Sequence, residues 1–202
     1  MLIYITRHGQ TYWNDTGKTQ GIKDIPLNDK GREQAVKLAR RLWDAPVQAI
    51  YTSDLKRATE TGNIIGNAIG KVCLATPHLR EANFGEWEGL TIKEIEEIFP
   101  GQLESWYEDP GFRAPGGESI NCVKKRVRCF IDQIKELDID KDQGILVVSH
   151  ALTSKLLIIE LLGLPISFIQ RIKLSNAGLT IIRAIEGESA LLLHNDTCHL
   201  YE

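Results

Sequence analysis

Short continuous apolar runs alternate along this chain with longer amphipathic ones. Residues 2–6, 47–52, 72–75 and 145–149 are apolar almost without interruption, which predicts strands buried on both faces. Between them, apolar positions recur at helical spacing. Over 29–44 they are Ala35, Leu38, Ala39, Leu42 and Trp43, with Pro46 as the stop. Trp43 continues that stripe and is expected in the core. Ser53 or Asp54 is placed to cap a second helix that runs to about Ile69 and ends at Gly70. A third, over 119–137, would bury Ile120, Val123, Val127, Phe130, Ile131 and Ile134, and a fourth spans 152–162. Further strands are expected near 171–175, 179–185 and 189–194. The last two form a hairpin through Glu186-Gly187-Glu188.

Two stretches interrupt this rhythm. Residues 9–28 are polar and turn-rich, hence a loop. Residues 79–118 carry Gly85, Gly89, Pro100-Gly101, Pro110-Gly111 and Pro115-Gly116-Gly117, with room for short helices over 91–98 and 102–108. A segment of that length inside a compact domain suits a lid or substrate-recognition region.

The alternation predicts an α/β fold. A three-layer α/β/α arrangement is expected, its mostly parallel sheet covered on both faces and carrying at least one antiparallel strand. The 202 residues fit one domain, 1–202, with the 79–118 segment inside it. A net charge of −3 gives no basic field for nucleic acid. No apolar run reaches the roughly 18–20 residues of a membrane span, and no signal-peptide pattern opens the chain, so a cytoplasmic protein without membrane or nucleic-acid partners is expected. Cys73, Cys122, Cys129 and Cys198 form no Cys-x-x-Cys pair and read as thiols of a reducing compartment. A homodimer is left open.

The candidate chemistry lies where two strands end. The first runs into Arg7-His8-Gly9-Gln10-Thr11 and the second into His150. Parallel sheets place ligand sites outside the carboxyl ends of their strands, so both histidines would be delivered to one edge. A neutral imidazole is a competent nucleophile toward phosphorus, which marks His8. Arg57 falls in the first turn of a helix and could grip phosphate oxygens. His150 could stabilise charge on a phosphoryl oxygen. A carboxyl group near the departing oxygen could protonate it. Glu81, Glu86 and Glu88 all qualify, and spacing does not choose among them.

Six blocks in order carry a family resemblance. They are Thr6-Arg7-His8-Gly9-Gln10-Thr11-x-x-Asn14; Gln20-Gly21-x-x-Asp24-x-Pro26-Leu27-x-x-x-Gly31-x-x-Gln34-Ala35; Ser53-Asp54-Leu55-x-Arg57-Ala58-x-x-Thr61; Glu81-x-x-Phe84-Gly85-x-Trp87-Glu88-Gly89; Pro115-Gly116-Gly117-Glu118-Ser119; and Val147-Val148-Ser149-His150. Together they resemble the histidine phosphatase (phosphoglycerate mutase-like) superfamily, in particular its small phosphatases such as α-ribazole phosphatase. The resemblance implies a phosphorylated His8, a phosphate pocket of Arg7, Arg57 and His150 with Asn14 as helper, and Glu81 as general acid. It also implies Gln20, Gly21 and Ala151 as substrate contacts. No metal or other cofactor is implied, and the partner is a small phosphate ester. Ala151 stands where many relatives carry glycine.

Mutases of that family follow the glutamate with a longer insertion, whereas here Glu81 leads directly to Phe84-Gly85-Glu86-Trp87. Easier entry of water favours hydrolysis over transfer. A phosphatase is therefore expected, with α-ribazole phosphate as one substrate, ahead of a phosphoglycerate mutase, a metal-independent phosphoserine phosphatase, a non-catalytic phosphate binder or a metal hydrolase. Phe84 stands where phosphoserine phosphatases of the family carry histidine, which counts against phosphoserine. The basic run Lys124-Lys125-Arg126-x-Arg128 reads as a solvated helix face. Trp13, Trp87 and Trp106 are candidates to wall the pocket, and His199 in the tail is a candidate substrate contact.

Overall fold

The structure, a computed structural model, describes residues 1–185 and 188–201. Its elements run β1 (Leu2–Arg7), α1 (Tyr12–Asp15), α2 (Asp29–Arg41), β2 (Val47–Ser53), α3 (Lys56–Ile69) and β3 (Cys73–Thr76). After these come α4 (Ile92–Ile98), α5 (Gln102–Glu108), α6 (Ile120–Lys135), β4 (Gly144–Ser149), α7 (Ala151–Leu162), β5 (Leu179–Arg183) and β6 (Ala190–Asp196). The strands form one sheet in the order β3-β2-β4-β1-β5-β6. β1, β2, β3 and β4 are mutually parallel, and β5 runs antiparallel to both β1 and β6.

The period-two alternation of the strands sorts their side chains onto two faces. Ile3, Ile5, Ile145 and Val147 pack with Val123, Val127 and Phe130 of α6 and Leu156 of α7. Tyr4, Ile50, Leu146 and Val148 pack with Leu38 and Leu42 and with Ala58 and Ile65 of α3. Both faces are covered, as the unbroken apolar strands required. All six apolar positions expected of α6 are buried, and Gly70 closes α3 in the left-handed conformation that its lack of a Cβ permits.

This connectivity creates the site. After β1 the chain crosses to the α2–α3 face, and after the neighbouring β4 it enters α7 on the opposite face. The two exits diverge, and the crevice between them is a topological switch point.

Four expectations fail locally. Trp43 is 65% exposed, because α2 ends at Arg41 and the helical stripe does not reach it; Leu42 fills the core instead. Neither Ser53 nor Asp54 caps α3. The cap residue is Leu55, and the Lys56 amide donates 2.6 Å to Asp24 from the preceding loop, while Asp54 is held by Arg80 at 2.6 Å. Residues 171–175 form no strand. Ile172 and Leu174 pack on the core, and the Leu174 carbonyl accepts from Arg7 rather than joining a ladder. The hairpin of β5 and β6 forms, but Glu186 and Gly187 of its turn lie outside the described residues. No helix among the described residues is long and apolar enough to cross a membrane. Cys73, Cys122 and Cys129 are free thiols.

Candidate active site

Pairing of β1 with β4 sets Arg7 opposite Ser149, so the next residue on each strand is a histidine. The His8 amide donates 2.9 Å to the Ser149 carbonyl, and the two imidazole centroids lie 5.2 Å apart. Both rings are buried. Their hydrogen bonds assign opposite tautomers. His8 Nδ1 lies 2.7 Å from the Gly9 carbonyl, which can only accept, so Nδ1 carries the proton and Nε2 a lone pair. His150 Nδ1 lies 3.1 Å from Arg57 Nε, which can only donate, so its proton sits on Nε2. That Nε2 is buried with no hydrogen-bond partner among the described residues. One ring thus offers an electron pair and the other a proton donor.

Burial, then the Arg57 charge, hold both histidines well below the ordinary value of 6.5, with Arg7 adding to the effect on each. The unfolded chain therefore binds more protons than the folded one below about pH 6.5. Stability should fall as pH drops through that range, by at most about 1.4 kcal/mol per pH unit for each histidine. Melting curves between about pH 7.5 and about pH 5 test this. A His8→Gln, His150→Gln double variant should show a shallower acid slope, and an unchanged slope would remove these rings as its cause.

The arginines differ in how they are held. Arg57 is fully buried rather than solvated. Its Nη1 and Nη2 donate to the Lys23 and Gly21 carbonyls at 2.7 and 2.6 Å. With Nε on His150, three of its five N–H groups are engaged and two remain. Burial lowers its pKa to about 10, partly opposed by Glu81 and Asp24, so it stays charged at neutral pH. Arg7 donates through Nη1 to Leu174 at 3.1 Å, and its Nε is buried without a partner among the described residues.

The loop after β1 needs glycine. A Cβ on Gly9 would sit 2.3 Å from the Gly31 carbonyl oxygen at the start of α2, a backbone atom that cannot step aside. On another side, the Gly9 amide donates 3.0 Å to the Thr61 hydroxyl of α3. Gly9→Ala should cost about 2–4 kcal/mol by overpacking and loss of that bond, read as a lower denaturant midpoint with unchanged slope. A midpoint equal to the parent's would show that the loop yields freely.

Of the three candidate carboxylates, Glu81 enters the cleft. Leu152 and Thr153, in the first turn of α7, donate their amides to its two oxygens at 3.1 and 3.3 Å, and the Thr153 hydroxyl lies 3.2 Å away. A helix N-terminus is a natural seat for a carboxylate. Glu86 is exposed, and Glu88 instead accepts from the Ile22 and Phe84 amides at 2.8 and 3.1 Å. Asn14, Gln20, Gly21 and Ala151 line the same cleft of about 360 Å³. Asn14 Oδ1 accepts from the Thr11 amide, and Gln20 Oε1 accepts from the Thr11 hydroxyl at 3.0 Å. Trp13 and Trp106 line the cleft. Trp87 is buried beneath it, T-shaped against Trp106 at 6.2 Å. Phe84 supplies an apolar wall. His199 does not line this cleft. It is buried beside α2, with Nε2 3.0 Å from the Ala177 carbonyl, which corrects the expectation of a substrate contact.

Three contributors escaped the sequence reading. Arg126 belongs to the basic run read as solvated. It donates to the Arg80 and Glu81 carbonyls at 2.9 Å each and to Glu118 at 3.0 Å, clamping the segment that bears Glu81. The amphipathic position of Arg126 gave no sign of these carbonyl partners. Asn176 donates to the His8 carbonyl at 2.8 Å and to Asn14 at 3.2 Å, from a segment with no sequence pattern of its own. Lys155 lines the cleft one turn beyond Ala151; the i, i+4 spacing from Ala151 was the available signal. No cluster of three or more metal-ligating side chains occurs among the described residues.

The chain is similar to known proteins along nearly its whole length. Residues 3–197 match the profile of the histidine phosphatase superfamily (branch 1). Phosphoserine phosphatase 1 of Hydrogenobacter thermophilus is 31% identical over 201 residues, covering 99% of this chain and 94% of the relative. The protein named Probable phosphoglycerate mutase GpmB in Yersinia pestis is 35% identical over 181 residues, covering 88% and 82%. A mycobacterial glucosyl-3-phosphoglycerate phosphatase solved with VO3 superposes with a TM-score of 0.90 at 31% identity, covering 97% of this chain and 99% of that one. The α-ribazole phosphatase of Shigella flexneri gives 0.86 at 27%, covering 97% and 96%.

Proposed function

The chain belongs to the histidine phosphatase superfamily, and on that premise we propose that it hydrolyses a small phosphomonoester through a phosphohistidine, without a metal. Nε2 of His8 adds its lone pair to phosphorus in line with the ester oxygen. The P–O bond to the leaving group breaks as Glu81, which has taken up a proton from solvent or from the substrate's phosphoryl group, gives that proton to the departing oxygen and is left as a carboxylate. Arg7, Arg57 and the Nε2–H of His150 take up charge on the non-bridging oxygens. Asn14, Gln20, Gly21 and Ala151 shape the same pocket. Water then attacks phosphorus, Glu81 accepts its proton, the P–N bond breaks, and phosphate leaves with neutral His8 restored.

The observation that carries this reading is the opposed tautomers of His8 and His150, each fixed by a neighbour that can only accept or only donate. Hydrolysis is favoured over mutase transfer because Glu81 leads straight into the Phe84–Trp87 turn, with no insertion to shut water out. The segment 79–118 acts as the substrate-recognition region. α-Ribazole phosphate, phosphoserine and phosphoglycerate-type acids form the panel to test.

Phosphate release from that panel and from an aryl phosphate, measured in EDTA, tests the proposal. Turnover should persist in the chelator. Loss of turnover in EDTA would replace the reading with a metal hydrolase, and no turnover on any ester would replace it with a phosphate binder. Conversion of 3-phosphoglycerate to its 2-isomer with little free phosphate would replace it with a mutase.

A further inference from the structure

Glu81, the proton donor of the proposed reaction, sits on a segment that no regular element holds. Residues 80–84 belong to neither a helix nor a strand. A group that gives a proton to a departing oxygen must be placed to within about 0.5 Å. The first turn of α7 seats the carboxylate. The backbone behind it is gripped from another element, by Arg126 of α6.

Arg126 stands apart from the basic residues around it. Lys124 and Arg128 share one side of α6 and pair with Glu160 of α7. Arg126 lies about 200° round the helix from Lys124, at 3.6 residues per turn. Its side chain is only 18% exposed. Nη1 donates 2.9 Å to the Arg80 carbonyl, and Nη2 donates 2.9 Å to the Glu81 carbonyl and 3.0 Å to Glu118 Oε2. The planar fork thus spans two successive peptide groups, one on each side of the Glu81 α-carbon. Peptides are planar, so holding both fixes φ and ψ of residue 81 and with them the direction of its side chain. The Arg80 carbonyl also accepts from the Thr153 hydroxyl at 2.7 Å, so α6 and α7 grip the same peptide.

Glu118 extends this clamp. Its Oε2 accepts from the Asn83 amide at 2.8 Å, and its own amide donates 2.7 Å to the Asn83 carbonyl. The Glu118 carbonyl accepts from the indole N–H of Trp106, a wall of the cleft, at 3.1 Å. Arg126 itself does not line the cleft. Its charge bears on His150 less than those of Arg57, His8 and Arg7.

We propose that Arg126 is a positioning residue for proton transfer. Its fork, backed by Glu118, fixes the Glu81 backbone so that the carboxyl group meets the departing oxygen. This rests on the assignment of Glu81 as general acid.

Leaving-group dependence separates this role from a merely structural one. kcat/KM would be measured on an alkyl phosphate, whose alkoxide needs a proton, and on an aryl phosphate with an acidic phenol, which leaves without one. Arg126→Met should lose about 10²-fold on the alkyl ester, the scale of a misplacement of about 1 Å, and about threefold or less on the aryl ester. The inhibition constant of inorganic phosphate should stay within about twofold of the parent's, since Arg7, Arg57 and His150 are untouched. Arg126→Lys keeps the charge without the fork and should show the same selective loss at about tenfold. Should the methionine variant not fold, the lysine variant decides by the same comparison. An equal loss on both esters, or an alkyl rate equal to the parent's, would overturn the positioning role. Glu81→Gln run alongside tells the two readings apart. Selective loss in Glu81→Gln without it in the Arg126 variants would sink the role of Arg126 and keep Glu81 as the acid. Equal loss on both esters in Glu81→Gln would remove the acid, and the role of Arg126 with it.

Discussion

His8→Ala is expected to lower phosphate release by at least about 10⁴-fold, since removing a covalent nucleophile takes away the reaction path and leaves only residual binding effects. That factor corresponds to about 5.5 kcal/mol of barrier. The same substitution should abolish the acid-labile phosphoryl label that rapid quenching traps on the parent protein. Nothing in the pocket replaces the lost electron pair. His150 presents its proton, because Arg57 Nε occupies its Nδ1 lone pair at 3.1 Å. Activity within tenfold of the parent, or a label that persists in His8→Ala, would take the nucleophile role away from His8.

Glu81→Gln should separate proton donation from positioning. On alkyl phosphates, kcat/KM is expected to fall about 10³-fold, within the range of general acid catalysis. On an aryl phosphate with an acidic phenol the loss should be about tenfold or less, because that leaving group departs without a proton. A further cost comes from the α7 N-terminus. Leu152 and Thr153 each donate to a different oxygen of Glu81, and an amide can accept at only one. One buried N–H would then face an NH₂ group, at about 1–3 kcal/mol of stability. An equal loss on both substrate types would mean that the carboxylate acts by holding α7 and not by giving a proton.

The sequence made some of this architecture plain and hid the rest, for physical reasons. β1 and β4 are apolar on both faces over Leu2–Ile5 and Ile145–Val148, and a continuous run of that kind reads as a buried strand whatever surrounds it. α6 shows its six core positions for the same cause. Trp43 misled because a helical stripe does not record where the helix stops. The 171–175 segment misled because alternation marks a chain that can pair, whereas its Leu174 carbonyl is claimed by Arg7. His8, Arg57 and His150 were visible through their setting at strand ends and a helix start, whereas Glu81 was set apart from Glu86 and Glu88 only by the family resemblance. Arg126 and Asn176 were not, since their partners lie far away in the chain. Lys155 was marked only by its spacing from Ala151. Asp24, quoted only as part of a motif, caps α3 from a distant loop, a role no local spacing encodes.

The position of β1 in the sheet has a consequence for how the molecule is made. β1 is an interior strand, and both of its neighbours, β4 and β5, follow α6 in the chain. Contacts of such long sequence separation form late and fold slowly. A nascent chain that has completed α3 already carries His8 and Arg57 but has no edge on which to seat them. The proposed site is therefore complete only once β4 has paired with β1, and a chain that stops before β4 carries His8 without the strand that leads to His150.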